Sequence, residues 1–239
     1  IAGLPGTREN VDLVIVRENT EGLYVGIEHE VVTGEAAEAV RIITRKGSER
    51  IVRFAFEYAR ANGRRKVTAV HKGNILKVTD GLFLDAARKV AETYDDIAFE
   101  TRIVDAMCMQ LVMQPEAFDV LVMPNLYGDI VSDLSSGLVG GLGVTPGANL
   151  GRDLAVFEPV HGSAPDIAGL DRANPCAAIL TGALMLHHLG ETDVAARIQR
   201  AVSEVLVDSP VITADLKRPG DTRRVVGTQA ITDAIIAKL

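Results

Sequence analysis

Short runs of β-branched and apolar residues at 11–16, 67–70, 99–104 and 120–123 recur along the chain with helix-length amphipathic stretches between them. A chain that alternates in this way is expected to fold as an α/β protein, each run a buried strand and each stretch a helix over a sheet. Ser48 is the expected N-cap of one helix and Gly63 its stop. Residues 80–94 carry Leu82, Leu84, Ala87 and Val90 on one face of a second. From 137 to 151 the glycines Gly137, Gly140, Gly141, Gly143, Gly147 and Gly151 mark a tightly turning crossover. A domain junction is placed near its start, giving residues 1–139 and 140–239. A loop at 157–174 and helices at 175–189, 192–207 and 228–239 follow.

Composition narrows the partners. Of 239 residues 47% are apolar and 24% charged, enough to bury a core without disulfides or a structural metal. A net charge of −7 argues against nucleic acid and anionic membrane surfaces. Cys108 and Cys176, in no ligand-like spacing, read as reduced and buried. The most apolar stretch, 176–186, is far shorter than the roughly 20 residues that cross a bilayer. The opening Ile-Ala-Gly-Leu-Pro has no methionine and no leader pattern, so the front is expected to be trimmed. No GxGxxG occurs: Gly141-Leu142-Gly143 has Pro146 at the third position, which removes support for a Rossmann pyrophosphate loop.

Three constellations carry chemistry. The first, Asn125 to Asp133, follows an expected strand and places Asp129 and Asp133 four apart, on one face of a helix beginning near Gly128. Two such carboxylates suit Mg²⁺ or Mn²⁺; taken alone they read first as the acids that a helix N-terminus favours, and a third carboxylate changes that balance. Asp105, at the end of the run 99–104, is an expected helix N-cap, or a third acid converging with that pair at the strand ends.

The second constellation is Arg17 to Tyr24. Arg17 offers a planar fork for a carboxylate and Tyr24 a phenol able to pass a proton, against plainer roles as a surface ion pair and a wet core residue. Lys72, in His71-Lys72-Gly73-Asn74, adds an amine at a third strand end, either a general base or a solvated lysine. The third constellation is Glu158 to Gly169 followed by Asn174. Gly162 and its small neighbours admit a flat ligand, His161 offers a ring edge and Asp166 a two-pronged acceptor for sugar hydroxyls. A turn-rich connection with Asp166 in an Asx turn explains the same residues.

The blocks RENTEGLY (17–24), HKGN (71–74), VDAMCMQL (104–111), NLYGDIVSD (125–133), GLVGGLG (137–143) and EPVHGSAPDIAG (158–169) stand in one order over nearly the whole chain. In them the sequence resembles the metal-dependent β-decarboxylating dehydrogenases, which include isocitrate, isopropylmalate and homoisocitrate dehydrogenases. The resemblance implies that family's two-domain α/β fold, distinct from Rossmann folds, here incomplete at the N-terminus. It implies that Arg17 holds a substrate carboxylate, Lys72 assists removal of the hydroxyl proton and Tyr24 protonates the enol carbon after CO₂ leaves. Asp105, Asp129 and Asp133 would bind Mg²⁺ or Mn²⁺. Lys72 and Asp105 would come from the partner subunit, making the protein an obligate homodimer with shared active sites.

The resemblance also bears on the cofactor. Glu158, His161, Gly162, Ser163, Ala164, Asp166 and Asn174 would line its site. Asp166 stands where NADP users of the family have basic side chains, and it would accept from the ribose and repel a 2′-phosphate, so NAD is expected. RENTEGLY and the residues after it look most like NAD-dependent isocitrate dehydrogenase, with homoisocitrate and 3-isopropylmalate enzymes as the alternatives. A non-catalytic regulatory subunit, or an inactive fragment, is the alternative of another class. A cytoplasmic location is expected, with the mitochondrial matrix as the alternative. The family's opening strand, glycine turn and Ser/Asn/Arg substrate segment are not in this sequence. A chain truly beginning at Ile1 is expected to turn over weakly and to expose an apolar edge.

Overall fold

The computed structural model describes Leu4, Thr7, Arg8 and residues 10–239. Most of the opening on which the expectation of a trimmed front rests lies outside the described residues. The chain divides into two compact units, Asn10–Ser135 and Ser136–Leu239, the second joined by the described residues before Asn10.

In the first unit β1 (Val14–Arg17), β2 (Glu28–Val32), β3 (Ala36–Ala39), α1 (Arg45–Ala61), β4 (Lys66–His71), α2 (Thr79–Ala91), β5 (Ala98–Ile103), α3 (Val104–Met113) and β6 (Val120–Met123) precede α4 (Asn125–Val139). Four of the strands form one parallel sheet in the order β1-β6-β4-β5. The two central strands are the most continuously buried, as a sheet covered on both faces requires: all of β6 and every residue of β4 after Lys66.

One face is sealed by α1 and α2. Val52, Ala55, Phe56 and Ala59 of α1 and Phe83, Ala87 and Val90 of α2 pack on Val67, Ala69, Val120 and Val122. Phe56 stacks on Tyr94 with ring centroids 4.7 Å apart. Its full burial contributes about 1.5–3 kcal/mol relative to an exposed ring.

The helix starts differ from the sequence reading for local reasons. Thr44, rather than Ser48, caps α1: its Oγ1 accepts the Gly47 N–H at 3.0 Å, while Ser48 lies inside the helix and donates to the Thr44 carbonyl. Asp105 is not an N-cap either, since that position of α3 belongs to Ile103 and Asp105 sits in the first turn. Helix α4 begins at Asn125, a turn before Gly128, runs through Gly137, and gives way to Gly140 and Gly141 at positive φ. The hairpin of β2 and β3 was not anticipated. Its sequence has no buried face to impose an alternation, and all nine of its strand residues are exposed.

The second unit contains β7 (Ala148–Leu150), β8 (Ala155–Phe157), α5 (Cys176–His188), α6 (Thr192–Asp208), β9 (Val211–Ile212), β10 (Arg224–Val225) and α7 (Thr228–Ile236). Strands β7 and β8 are antiparallel, and β9 and β10 form a parallel pair. Cys176, Val202, Val205, Leu206, Ile212, Leu216, Ile231 and Ile235 make its core, which Leu4 and Val144 join. Asp171 caps α7 through its Oδ1, which accepts the Gln229 N–H at 2.9 Å. Gly227 is required there, because a Cβ would lie 2.2 Å from the Asp171 carbonyl oxygen. Of the two cysteines only Cys176 is buried; Cys108 is half-buried. No helix among the described residues is long and apolar enough to cross a membrane.

Candidate active site

The carboxyl ends of β1, β6, β4 and β5 adjoin in that order, and each leads to one or two residues singled out in the sequence. Arg17 ends β1, α4 with Asp129 and Asp133 follows β6, Lys72 follows β4, and Asp105 follows β5. In open α/β sheets this edge is where ligands bind.

The neighbours pair off. Arg17 Nη1 donates to Asp129 Oδ1 at 2.6 Å and its Nε to Asn125 Oδ1 at 2.9 Å. The guanidinium also lies over the Tyr24 ring, 5.1 Å from its centroid. Two strands along, Lys72 Nζ donates to Asp105 Oδ1 at 2.5 Å. Asp105 is mostly exposed, and its hydrogen bond with Lys72 holds its carboxyl below the usual carboxylate range.

The three aspartates therefore do not meet within one chain. Strand β4 separates β5 from β6, which sets the ends of those two strands about 10 Å apart at the sheet edge. Among the described residues no three His, Cys, Asp or Glu side chains gather closely enough to hold an ion. Asp129 and Asp133 lie one turn apart on α4, Asp129 half-exposed and Asp133 exposed. Because α4 starts at Asn125 it has no acid in its first turn, so neither carboxylate is explained by the helix dipole, which acts over that turn. Hard oxygen donors at this spacing fit a divalent ion as part of a donor set that a second element must complete.

Tyr24 is half-exposed and its phenol is shifted upward, first by its hydrogen bond to Asp129 and then by desolvation; Arg17 opposes this. The phenol thus keeps its proton at neutral pH and is available as a donor.

The loop that carries Arg17 and Tyr24 is held from beneath by two buried carboxylates. Glu18 accepts from the Thr20 and Glu21 N–H groups, from Thr20 Oγ1 and from Arg50 Nη2. Glu21 accepts from the Thr44 N–H and hydroxyl. Gly47 leaves room for this, since a Cβ there would sit 2.8 Å from the Glu21 carboxylate. Neither acid, nor Asn125, stood out in the sequence; the only available signal was their presence in the same blocks as Arg17 and Asp129.

In the second unit the Glu158–Asn174 segment is an exposed loop with one 3₁₀ turn at Pro165–Ile167. Glu158 accepts from Asn149 Nδ2 at 2.9 Å. The half-buried His161 ring lies beside the Gly162 carbonyl, with Nδ1 2.9 Å from the oxygen. Gly162, Ser163, Ala164 and Asp166 are exposed, and Ala164 adopts a left-handed φ of 44° to enter the turn. Asn174 is tied into the fold: Oδ1 accepts the Cys176 N–H at 3.0 Å and Nδ2 donates to Asp215 at 2.9 Å. An exposed carboxylate beside a glycine-opened backbone fits a ribose-bearing cofactor.

The family described as isocitrate/isopropylmalate dehydrogenase matches residues 4–235. The chain is 53% identical over 212 residues to the probable isocitrate dehydrogenase (NAD) subunit alpha, mitochondrial, of Caenorhabditis elegans, covering 89% of this chain and 59% of that protein. It is 51% identical over 234 residues to the isocitrate dehydrogenase (NAD) catalytic subunit 5, mitochondrial, of Arabidopsis thaliana, covering 96% and 62%. The crystal structure of isocitrate dehydrogenase from Methylococcus capsulatus superposes with a TM-score of 0.93 at 56% identity, covering 99% of this chain and 70% of that one. This chain thus spans about three fifths of the length of the curated relatives it matches. With a match from residue 4 to residue 235 and half its residues shared with such relatives, the chain belongs to the isocitrate/isopropylmalate dehydrogenase family.

Proposed function

We propose that this chain takes part in the NAD-dependent oxidative decarboxylation of isocitrate to 2-oxoglutarate and CO₂. One observation carries the reading: the acid, base and anion-binding side chains singled out in this sequence lie at the carboxyl ends of four adjoining parallel strands, Arg17 and Tyr24 against Asp129, and Lys72 against Asp105.

Arg17 would grip a substrate carboxylate with the face of its fork not used by Asn125 and Asp129. Lys72 would take the proton of the hydroxyl being oxidised, and Tyr24 would return a proton to carbon once CO₂ has left. When bound, the divalent ion supplies a Lewis acid for the new carbonyl and the cofactor a hydride acceptor. Asp129 and Asp133 would hold the ion, Mg²⁺ or Mn²⁺, together with Asp105 of a second copy of the chain. The exposed Met109 and Met113 of α3 and Ile130 of α4 offer an apolar face for that copy. Glu158, His161, Gly162, Ser163, Ala164, Asp166 and Asn174 would bind NAD, with Asp166 repelling a 2′-phosphate.

A subunit role without turnover is the competing reading, since both relatives are named as subunits, although one of them is named a catalytic subunit. The complete set Arg17, Tyr24, Lys72, Asp105, Asp129 and Asp133 favours the catalyst, since binding alone needs neither the phenol nor the amine. Those relatives are also named as mitochondrial, which speaks for the matrix over the cytoplasm.

NADH formation by the full-length protein should be measured with isocitrate, homoisocitrate and 3-isopropylmalate, with Mg²⁺ or Mn²⁺ and with chelator. Metal-dependent turnover fastest on isocitrate is the expected result. Undiminished activity in chelator removes the metal role, and no turnover on any of the three acids favours the regulatory subunit.

A further inference from the structure

Asp80 is wholly buried, in the first turn of α2, and no role for it follows from the chemistry above. Its carboxylate is the meeting point of three segments. Oδ2 accepts the main-chain N–H of Lys72 at 2.6 Å and the Tyr127 hydroxyl at 3.1 Å, while Oδ1 takes the Arg41 guanidinium. Arg41 also lies over the Tyr127 ring at 5.1 Å and donates to Thr79 Oγ1.

The connection from Lys72 to Asp80 is closed on itself. The Lys72 carbonyl accepts from Ile75 and Leu76, and the Leu76 carbonyl accepts from Asp80 N–H. The Lys72 backbone is thereby fixed at both its N–H and its C=O, although the side chain it carries is long and flexible. Tyr127 stands two residues before Asp129 on α4, so one carboxylate ties the backbone that carries the amine to the helix that carries the acid. A buried ion pair repays its desolvation only when further hydrogen bonds satisfy the carboxylate. Here those bonds come from the Lys72 N–H and the Tyr127 hydroxyl, so satisfying Asp80 also fixes the backbone that carries the amine.

We infer that Asp80 is a positioning residue, which fixes the Lys72 backbone against α4 of its own chain and so sets where the Lys72 amine stands in the site that it serves on the second copy. This rests on the reading of Lys72 as the group that takes the hydroxyl proton. Catalytic geometry is sensitive to such displacement, an error of about 1 Å costing up to about a hundredfold in rate.

The test uses the full-length protein with isocitrate, NAD and Mn²⁺, comparing the unmodified form with Asp80→Asn and Tyr127→Phe. Turnover and KM are measured with ordinary isocitrate and with isocitrate deuterated at the carbon that loses hydride. Asp80→Asn should lower kcat about tenfold or more, keep the isocitrate KM within about twofold and enlarge the deuterium effect, because the oxidation step becomes slower relative to the others. Tyr127→Phe, which removes one bond of the hub and leaves the ion pair, should do the same to a smaller extent and decides the matter if Asp80→Asn does not fold. Unchanged kcat in the folded variants overturns the inference. So does a loss of kcat with an unchanged deuterium effect, the sign of fewer folded molecules. If the unmodified protein itself forms no NADH, the reading of Lys72 falls first and the inference with it.

Discussion

Gly128 and Arg17 share a space that admits no side chain at position 128. A Cβ built there would lie 2.4 Å from Arg17 Cγ and 2.7 Å from Arg17 Cβ, atoms too near the β1 backbone to swing away. The guanidinium reaches Asn125 and Asp129 only by crossing the bare first turn of α4 at this glycine. On helix propensity alone Gly128→Ala would gain about 1 kcal/mol. The overlap reverses the sign, and a net loss of about 1–3 kcal/mol of stability is expected, as for other overpacked sites. Because Arg17 is what must move, the isocitrate KM should rise about tenfold. A variant more stable than the parent with unchanged KM would show that Arg17 is not held this way.

Lys72 and Asp105 pair with each other, not with Arg17 or Asp129, and the reading proposed above has them serve the site of a second copy of the chain. Arg17→Ala and Lys72→Ala should each abolish turnover. Co-expressed in one cell, they should restore about a quarter of the parental activity, because half of a random mixture is heterodimer and each heterodimer keeps one intact site. Recovery near zero would place all these residues in a single-chain site.

The strands that carry the site were legible because buried parallel strands need near-continuous apolar runs. Residues 120–123 are β6 and residues 67–70 the middle of β4. What escaped was whatever depends on a distant partner. Thr44 and Ser48 are equally good caps in sequence, and only the reach of Thr44 to both Gly47 and Glu21 decides between them. Glu18 and Asp80 look like solvated acids until their donors arrive from residues 20, 21, 41, 50, 72 and 127. The distance between Asp105 and Asp129 was hidden for the same reason. Sequence order puts β5 directly before β6, whereas sheet order puts β4 between them.

Asp166 sits exposed in the Pro165–Ile167 turn, and the proposed reading has its charge face the ribose end of the cofactor. Asp166→Lys should lower kcat/KM with NAD about tenfold and raise it with NADP, since the repelled 2′-phosphate becomes an attracted one. Initial rates with both cofactors at about 0.15 M salt are the measurement, that ionic strength being enough to screen charges more than about 8 Å away. An unchanged NAD/NADP ratio would remove Asp166 from the ribose end of the site.

His71 closes β4 immediately before Lys72, and burial pushes its imidazole below the ordinary value of 6.5, with Arg88 adding to the shift and Asp80 opposing it. The fold uses the neutral ring, because Nδ1 accepts the Gly73 N–H at 2.9 Å, a role that protonation ends. An unfolded chain therefore binds the proton more readily than the folded one. The contribution of His71 to stability is complete above about pH 6.5 and is lost as the pH falls through the lower folded value. His71→Asn keeps an acceptor toward Gly73 and does not titrate. In urea denaturation followed at a series of pH values from about 7.5 to about 5, the parental midpoint should fall relative to that of His71→Asn. A gap between the two that stays constant, or moves in the parent's favour on acidification, would mean that the ring accommodates its proton in the folded chain, and the turn into Lys72 would then have to tolerate a charged neighbour.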